Sequence, residues 1–258
     1  MQRDQIIGSL LSRLGERLAA FLSQHRHVHS ASRPTPQVLL LKSLRPGDVL
    51  LVEGHSRISA GIKYLTQSTW SHAALYVGTF GHGQLQDPEH CFVEADLIEG
   101  VRSVGIDEFA GFNTRICRPV GLTEDETKAL IDHVLARLGH RYDLRNVVDL
   151  CRYFLPTPPV PQRFRRRMIA LGSGDPTKAI CSTLIAEAFQ RIGYPILPTI
   201  EYRSASTETC PDCHDELLHI RHYSLFAPRD FDVSPYFRIV KPMIEHGFDF
   251  HALHWQKP

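Results

Sequence analysis

The stretch STWSHAALYVG, residues 68–78, predicts a strand and contains one residue that is unexpected there. Its residues alternate between two faces: Ala73, Leu75 and Val77 on one, and His72, Ala74 and Tyr76 on the other. A histidine that opens so apolar a strand is unusual. A lone strand histidine is most often structural, with a ring nitrogen bonded to a backbone carbonyl. The role of His72 therefore has to be decided by the rest of the chain.

The bulk composition is that of an ordinary globular protein. The 258 residues are 43% hydrophobic and 22% charged, with a formal net charge of +1, so the charge gives no reason to expect a nucleic-acid partner. No apolar run reaches the ~20 residues of a membrane-spanning helix, and the N-terminus lacks the continuous apolar core of a signal peptide. We therefore expect a cytoplasmic protein whose six cysteines are reduced thiols.

Three further strands are predicted around residues 68–78. The segment LRPGDVLLVEG places a Pro-Gly turn before the strand DVLLVE. The segments CFVEADL and TRICRPV, the latter at 114–120, follow as further strands. In CFVEADL, Phe92 and Glu94 share one face, and Val93 and Ala95 the other.

Two helices follow the strands. Thr123 and Glu126 form a capping box that starts a helix over 123–138, and Gly139 is a natural stop. The segment DPTKAICSTLIAEAFQRIGYP has apolar residues at helical spacing, and Gly193 and Pro195 end that helix. Cys181 is therefore expected in its first turn.

A thiol in that position is suited to nucleophilic chemistry. The unpaired N–H groups and the positive end of the helix dipole favour thiolate over thiol, and they can hold the oxyanion that forms when a carbonyl is attacked. A thiolate needs an imidazole partner and a group that orients the imidazole. His72 and Glu94, on successive strands, are candidates. Because the chain has 15 histidines, and because a helix-start cysteine is commonly a small buried residue, spacing alone does not decide this.

The order and the amino-acid sequences of four segments resemble those of the YaeF/YiiX-like permuted papain-like amidases, within the permuted NlpC/P60 group of cysteine hydrolases. These segments are LRPGDVLLVEG, WSHAALYVG, FVEADLIEGV and ICSTLIAEAFQRIG. The element RYDL and the C-terminal segment SLFAPRDFDVSPYFRIV are also similar to parts of the group, so the resemblance spans roughly residues 38–241. In this group the histidine precedes the cysteine along the chain, as it does here.

The resemblance implies a role for each matching residue. Cys181 would be the nucleophile, His72 the general base and Glu94 the residue that orients the imidazole. Tyr142 would line the site or assist the oxyanion, or else be a core tyrosine; Ser182 would contact the substrate or simply cap the helix. Glu99 is a rival for the third position, and Glu94 is preferred because it lies inside a strand.

The fold implied is α+β and papain-like: a mostly antiparallel sheet packed against the Cys181 helix and the 123–138 helix. Residues 1–37 are expected to form an N-terminal helix and linker, and residues 38–258 the catalytic domain. The apolar stripe of residues 4–24 fits packing against the core or a second subunit, and it also fits a helix on a membrane surface. The basic run at 163–167 is interpreted as a solvated face, with anionic lipid headgroups as the alternative.

One segment departs from the pattern of the group. Cys210, Cys213 and His214 form a Cys-x-x-Cys-His sequence, followed by His219 and His222. Without export, haem attachment is not expected. A zinc site, a redox pair and an unliganded turn all remain open, and the last is the default. No cofactor or metal is predicted for the reaction itself.

These features favour a thiol-dependent hydrolase that cleaves an amide or ester bond through an acyl-thioester. Its substrate would be a small amide, a peptide or a lipid-linked compound. Two alternatives stay open: an acyltransferase, and a lipid-binding module without catalysis on the same fold.

Overall fold

A six-stranded antiparallel sheet forms the centre of the computed structural model, which describes residues 34–81, 85, 87–140, 180–204 and 214–254. The sheet order is β4-β3-β2-β1-β5-β8, and a separate hairpin pairs β6 with β7. The strands are β1 Val49–Val52, β2 His72–Tyr76, β3 Phe92–Asp96, β4 Gly100–Val104, β5 Thr114–Pro119, β6 Thr199–Ser204, β7 His214–His219 and β8 Phe237–Val240.

Six α-helices lie within the described residues. They are α1 Gln37–Ser43, α2 Arg57–Thr66, α3 Glu124–Leu135, α4 Ile180–Arg191, α5 Pro228–Asp232 and α6 Pro242–Glu245. Of the helices predicted from the sequence, α3 and α4 fall within the described residues, and both are present. The predicted mixed α/β architecture, with helices against a large antiparallel sheet, is confirmed.

Both faces of the sheet are covered, which is why β2 is apolar on each side. On one face Leu75 and Val93 pack in a cluster with Ile131 of α3 and Ile185 and Phe189 of α4. The residues of the other face pack with α1 and the loop before β5: Leu40, Leu50, Ala74, Phe92, Phe109 and Ile116. The alternation predicted for residues 72–77 therefore corresponds to two separate clusters.

The turn before β1 has the predicted geometry. The Asp48 N–H donates to the Arg45 carbonyl at 3.0 Å, and Gly47 has a φ of +89°. Proline at the second position and a positive φ at the third define a type II turn, which requires glycine there. Arg118 of β5 then holds this corner, because its Nε and Nη2 donate to the two Asp48 oxygens at 2.9 and 2.7 Å.

Helix α3 begins where it was predicted to begin and ends earlier than predicted. The Glu126 N–H donates to the Thr123 hydroxyl at 3.2 Å, and the Thr123 N–H donates to the Glu126 carboxylate at 2.8 Å, which completes the capping box. The helix ends at Leu135 rather than at residue 138. The next residues form hydrogen bonds that span three residues rather than four, such as the bond from the Leu138 N–H to the Leu135 carbonyl. Gly139 then adopts a φ of +80°.

Several predictions lie outside the described residues. They concern the helix of residues 4–24, the segment after His140 that contains Tyr142, and the basic run at 163–167. The division at residue 37 stays a prediction; α1 begins there and packs through Leu40. In the part of the chain that is described, no helix combines the length and the apolar character needed to cross a bilayer.

Candidate active site

The register of three neighbouring strands places His72, Glu94 and Arg102 on one side of the sheet. In the β2–β3 pair Ala74 lies opposite Glu94, so His72, two residues earlier, is the diagonal neighbour of Glu94 on the same face. In the β3–β4 pair Glu94 lies directly opposite Arg102. The three side chains therefore meet without any distortion of the strands.

The Glu94 carboxylate joins the other two residues. Its Oε2 lies 2.6 Å from Nε2 of His72, and its Oε1 accepts from Nε and Nη2 of Arg102 at 2.9 and 2.7 Å. The Glu94 side chain is 3% exposed and that of His72 is 26% exposed. The carboxylate is thus fully engaged inside the protein, whereas the imidazole still has an open edge.

Cys181 meets the imidazole at the start of β2. It is the second residue of α4 and is buried, and its side chain hydrogen-bonds that of His72. Because Nε2 of His72 lies against Glu94, Nδ1 is the nitrogen left for the sulfur. The structure therefore aligns Cys181, His72, Glu94 and Arg102 in one chain of contacts.

The electrostatics of this chain favour a charged imidazole. Burial disfavours the imidazolium of His72, but the Glu94 carboxylate and the Cys181 sulfur outweigh it and hold the pKa of His72 well above its ordinary value. Burial likewise disfavours the Glu94 carboxylate, but His72 and Arg102 lower its pKa overall. Glu94 is therefore ionised at neutral pH, and the imidazolium it supports is the partner that a thiolate needs.

The two carboxylates weighed as the third residue occupy different environments. Glu99 is 61% exposed and reaches Nη1 of Arg102 at 3.3 Å, at the far end of the guanidinium from Glu94. Only Glu94 of the two contacts His72. The geometry therefore favours Glu94 for orienting the imidazole.

Arg102 belongs to this site and was missed from the sequence. Besides Glu94 it contacts Glu108, whose Oε1 accepts from Nη2 at 2.6 Å. A single arginine in a short strand ordinarily has the pattern of a solvated charge. The available signal was the turn between Asp96 and Gly100: a tight hairpin there pairs Asp96 with Gly100, Ala95 with Val101, and so Glu94 with Arg102.

Ser182 is buried beside the nucleophile candidate. Its hydroxyl donates to the Phe226 carbonyl at 2.8 Å, and the residue is 0% exposed. The bond ties the first turn of α4 to the segment before α5. The side chain therefore acts as a tether inside the protein, and its contact with a substrate stays a prediction.

The other two cysteines among the described residues differ from Cys181. Burial raises the pKa of the Cys91 thiol to about 11. Burial, with a smaller contribution from Asp232, also raises the pKa of Cys117, which is fully buried in β5. Within the described part of the chain, neither thiol contacts an imidazole as Cys181 does, and both are therefore expected to remain protonated at neutral pH.

The Cys-x-x-Cys-His segment is only partly described. Cys210 and Cys213 lie outside the described residues, and His214 is the first residue of β7. His219 lies 2.7 Å from a Glu201 oxygen across the β6–β7 hairpin. In the described ranges, no group of three or more His, Cys, Asp or Glu residues could hold a metal ion.

One known family matches part of the chain. Residues 43–154 match the model of the permuted papain-like amidase enzyme family, YaeF/YiiX, C92. The predicted resemblance to the permuted papain-like amidases is confirmed. The matched range contains His72, Glu94 and Arg102 and ends before Cys181.

One solved structure shares part of its shape with the chain. The chain is similar to the crystal structure of metalloprotein YiiX from Escherichia coli O157:H7, at 14% identity and a TM-score of 0.44, over 77% of this chain and 97% of that one. Among curated proteins, none matches.

Proposed function

We propose that the protein is a thiol-dependent hydrolase that cleaves an amide or ester bond through an acyl-thioester on Cys181. The observation that carries the proposal is the contact of Cys181 with an imidazole whose other nitrogen lies 2.6 Å from a buried, ionised carboxylate. A family match to permuted papain-like amidases over residues 43–154 supports the same class of reaction.

The first half of the reaction follows from this chain of contacts. The Cys181 thiolate attacks the carbonyl carbon, and backbone N–H groups at the start of α4 hold the developing oxyanion. The C–N or C–O bond then breaks, and the His72 imidazolium gives its Nδ1 proton to the leaving amine or alcohol. The product of this half is an acyl-thioester on Cys181.

Water completes the cycle. Neutral His72 takes a proton from a water molecule, and the hydroxide attacks the thioester carbonyl. Collapse of the second tetrahedral intermediate releases the carboxylic acid and restores the thiolate–imidazolium pair. Glu94 holds the imidazole in one orientation through both halves, and Arg102 holds Glu94.

Alkylation of the thiols across pH 5–9, with each adduct located by peptide mass spectrometry, tests the proposal. We expect Cys181 to react well below pH 8, faster than Cys91, and to slow when His72 is replaced by alanine. Cys91→Ala is the matched control and should leave the rate at Cys181 unchanged. Equal rates at Cys181 and Cys91 would remove the basis for the nucleophile assignment.

Product analysis then identifies the reaction. We expect wild-type protein to release free acid from an acyl amide or ester, and Cys181→Ala to release none. If added amine captures the acyl group in preference to water, the protein is an acyltransferase. If wild type and Cys181→Ala bind the compound equally and neither turns it over, the fold serves for binding, and the hydrolase proposal fails.

A further inference from the structure

A polar cleft of about 460 Å³ opens beside the start of β2. Its walls come from the C-terminal end of α2, the residues just before β2, the start of β5, and α5. The lining side chains that matter here are Lys63, Trp70, Arg115, Arg229 and Asp232. Three of these are cationic and one is anionic, which gives the cleft an excess of positive charge.

The single carboxylate of the lining is already engaged. Asp232 accepts from Nη1 of Arg115 at 2.6 Å through Oδ1 and from Nε1 of Trp70 at 3.0 Å through Oδ2. The Arg115 guanidinium also lies 4.9 Å from the centre of the Trp70 ring. Asp232 therefore positions Arg115 and Trp70, and it does not neutralise the remaining cations.

The two other cations are only weakly engaged. Lys63 Nζ lies 3.5 Å from an oxygen of Glu53, which is a long ion pair. Arg229 donates from Nη1 to the Thr66 carbonyl at 3.4 Å, and no ion pair among the described residues includes it. An arginine presents several N–H groups in a planar fork, so Arg229 keeps donors for a further acceptor.

Residues of this cleft are connected through short segments of the chain to His72 and to Cys181. Trp70 precedes His72 by two residues, so their Cα atoms are at most about 7 Å apart. Ser182, next to Cys181, donates to the carbonyl of Phe226, which precedes Arg229 by three residues. A compound whose acyl group reaches Cys181 therefore has this cleft within reach of its remaining part.

We propose that the cleft binds an anionic group of the substrate, a carboxylate or a phosphate, through Arg229 and Lys63. Charge-assisted bonds from arginine suit both groups, because their oxygens match the guanidinium fork. The part this plays in selecting acyl substrates rests on the proposed hydrolase function. The binding of the anion itself does not, and it can be measured without catalysis.

The binding experiment uses Trp70 as the reporter. In a Trp255→Phe, Cys181→Ala background Trp70 is the single tryptophan, since the chain has two. Inorganic phosphate and acetate are titrated separately at constant ionic strength. We expect a saturable fluorescence change, weakened about tenfold by Arg229→Gln, because a hydrogen bond to a charged group is lost. The anion that binds more tightly identifies the carboxylate or the phosphate as the preferred group.

Arg238→Gln is the matched control. Arg238 is exposed on β8 and does not line the cleft, so this variant should titrate like the parent. Equal weakening by Arg229→Gln and Arg238→Gln would indicate general attraction of anions to the protein and overturn the proposal. Absence of any saturable change with both anions would overturn it as well.

Two matched ester substrates test whether the cleft selects anionic compounds. One ester carries a terminal anionic group and the other is neutral. We expect the ratio of kcat/KM for the anionic over the neutral ester to fall in Arg229→Gln and to stay constant in Arg238→Gln. If Arg229→Gln turns over both esters with the wild-type ratio, the proposed role of the cleft in substrate selection is overturned and the hydrolase proposal stands. If wild type binds the anion and turns over neither ester, the hydrolase proposal is overturned and the proposal of an anion-binding cleft stands.

Discussion

Glu94 Oε2 lies 2.6 Å from Nε2 of His72, on the side of the imidazole away from Cys181. This contact fixes which nitrogen faces which partner, because a ring with Nε2 held by a carboxylate presents Nδ1 to the sulfur. It also supplies the negative charge that raises the pKa of His72. The orientation of the imidazole and its raised pKa therefore both depend on Glu94.

Glu94→Gln keeps the size of the side chain and removes its charge. Because the carboxylate raises the pKa of His72, its loss lowers that pKa, and the imidazolium deprotonates at lower pH. We expect the alkaline limb of the kcat/KM profile to move towards acid by about one pH unit. Glu99→Gln, in which the replaced residue does not contact His72, is the control. Identical profiles for wild type and Glu94→Gln would contradict the assigned role.

Arg102→Gln should act through Glu94. Arg102 lowers the pKa of Glu94, so its removal raises that pKa. A depressed carboxylate pKa stabilises the fold above the unfolded-state pKa of about 4.3, and this contribution disappears as the pH falls through the folded-state pKa. We therefore expect the acid-unfolding midpoint of Arg102→Gln to move to higher pH, measured by circular dichroism. Arg102→Lys should restore part of the difference, whereas unchanged midpoints in both variants would rule out this coupling.

Arg118→Met tests the corner before β1. The substitution leaves the Asp48 carboxylate, 1% exposed, without its bidentate partner. Removing one partner of a buried pair costs about 3–5 kcal/mol of unfolding free energy. Chemical denaturation measures this loss, and the double variant Asp48→Asn, Arg118→Met should recover part of it. An equal or larger loss in the double variant would show that the pair itself is not what matters.

Ser182→Ala separates a tether from a substrate contact. The variant removes the donor to the buried Phe226 carbonyl, at a cost of about 1 kcal/mol of unfolding free energy. We expect this loss in denaturation and an unchanged KM for a cleavable ester. A higher KM at wild-type stability would instead support the contact with substrate that the family resemblance implies.

Regular periodicity made much of the fold predictable. The strand around His72 alternates with period two, the strands around Leu50, Val93 and Ile116 contain short apolar runs, and α3 and α4 have apolar residues at helical spacing. Each of these elements is present. Helices α1 and α2 are short or carry small and polar residues, and their patterns did not stand out. Strand β4 was missed for a related reason: Gly100, Arg102 and Ser103 give it little apolar alternation, so only pairing with β3 identifies it.

The sequence pointed to those residues of the candidate site that are unusual at their positions. A histidine opening an apolar strand and a cysteine opening a helix stand out in a sequence. Arg102 and Arg229 do not, because an arginine on the surface is common, and its importance depends on partners distant in the sequence. Glu94 could be chosen over Glu99 from its strand position, but only the contact distance distinguishes a carboxylate bonded to His72 from one that meets solvent.

The order of the candidate residues along the chain has a consequence for biosynthesis. His72 and Glu94 lie on adjacent strands of one compact region, whereas Cys181 comes much later, on α4. During translation β2 and β3 therefore leave the ribosome well before α4 does. If Cys181 is the nucleophile, as we propose, the protein becomes competent for the reaction only after α4 has emerged and docked.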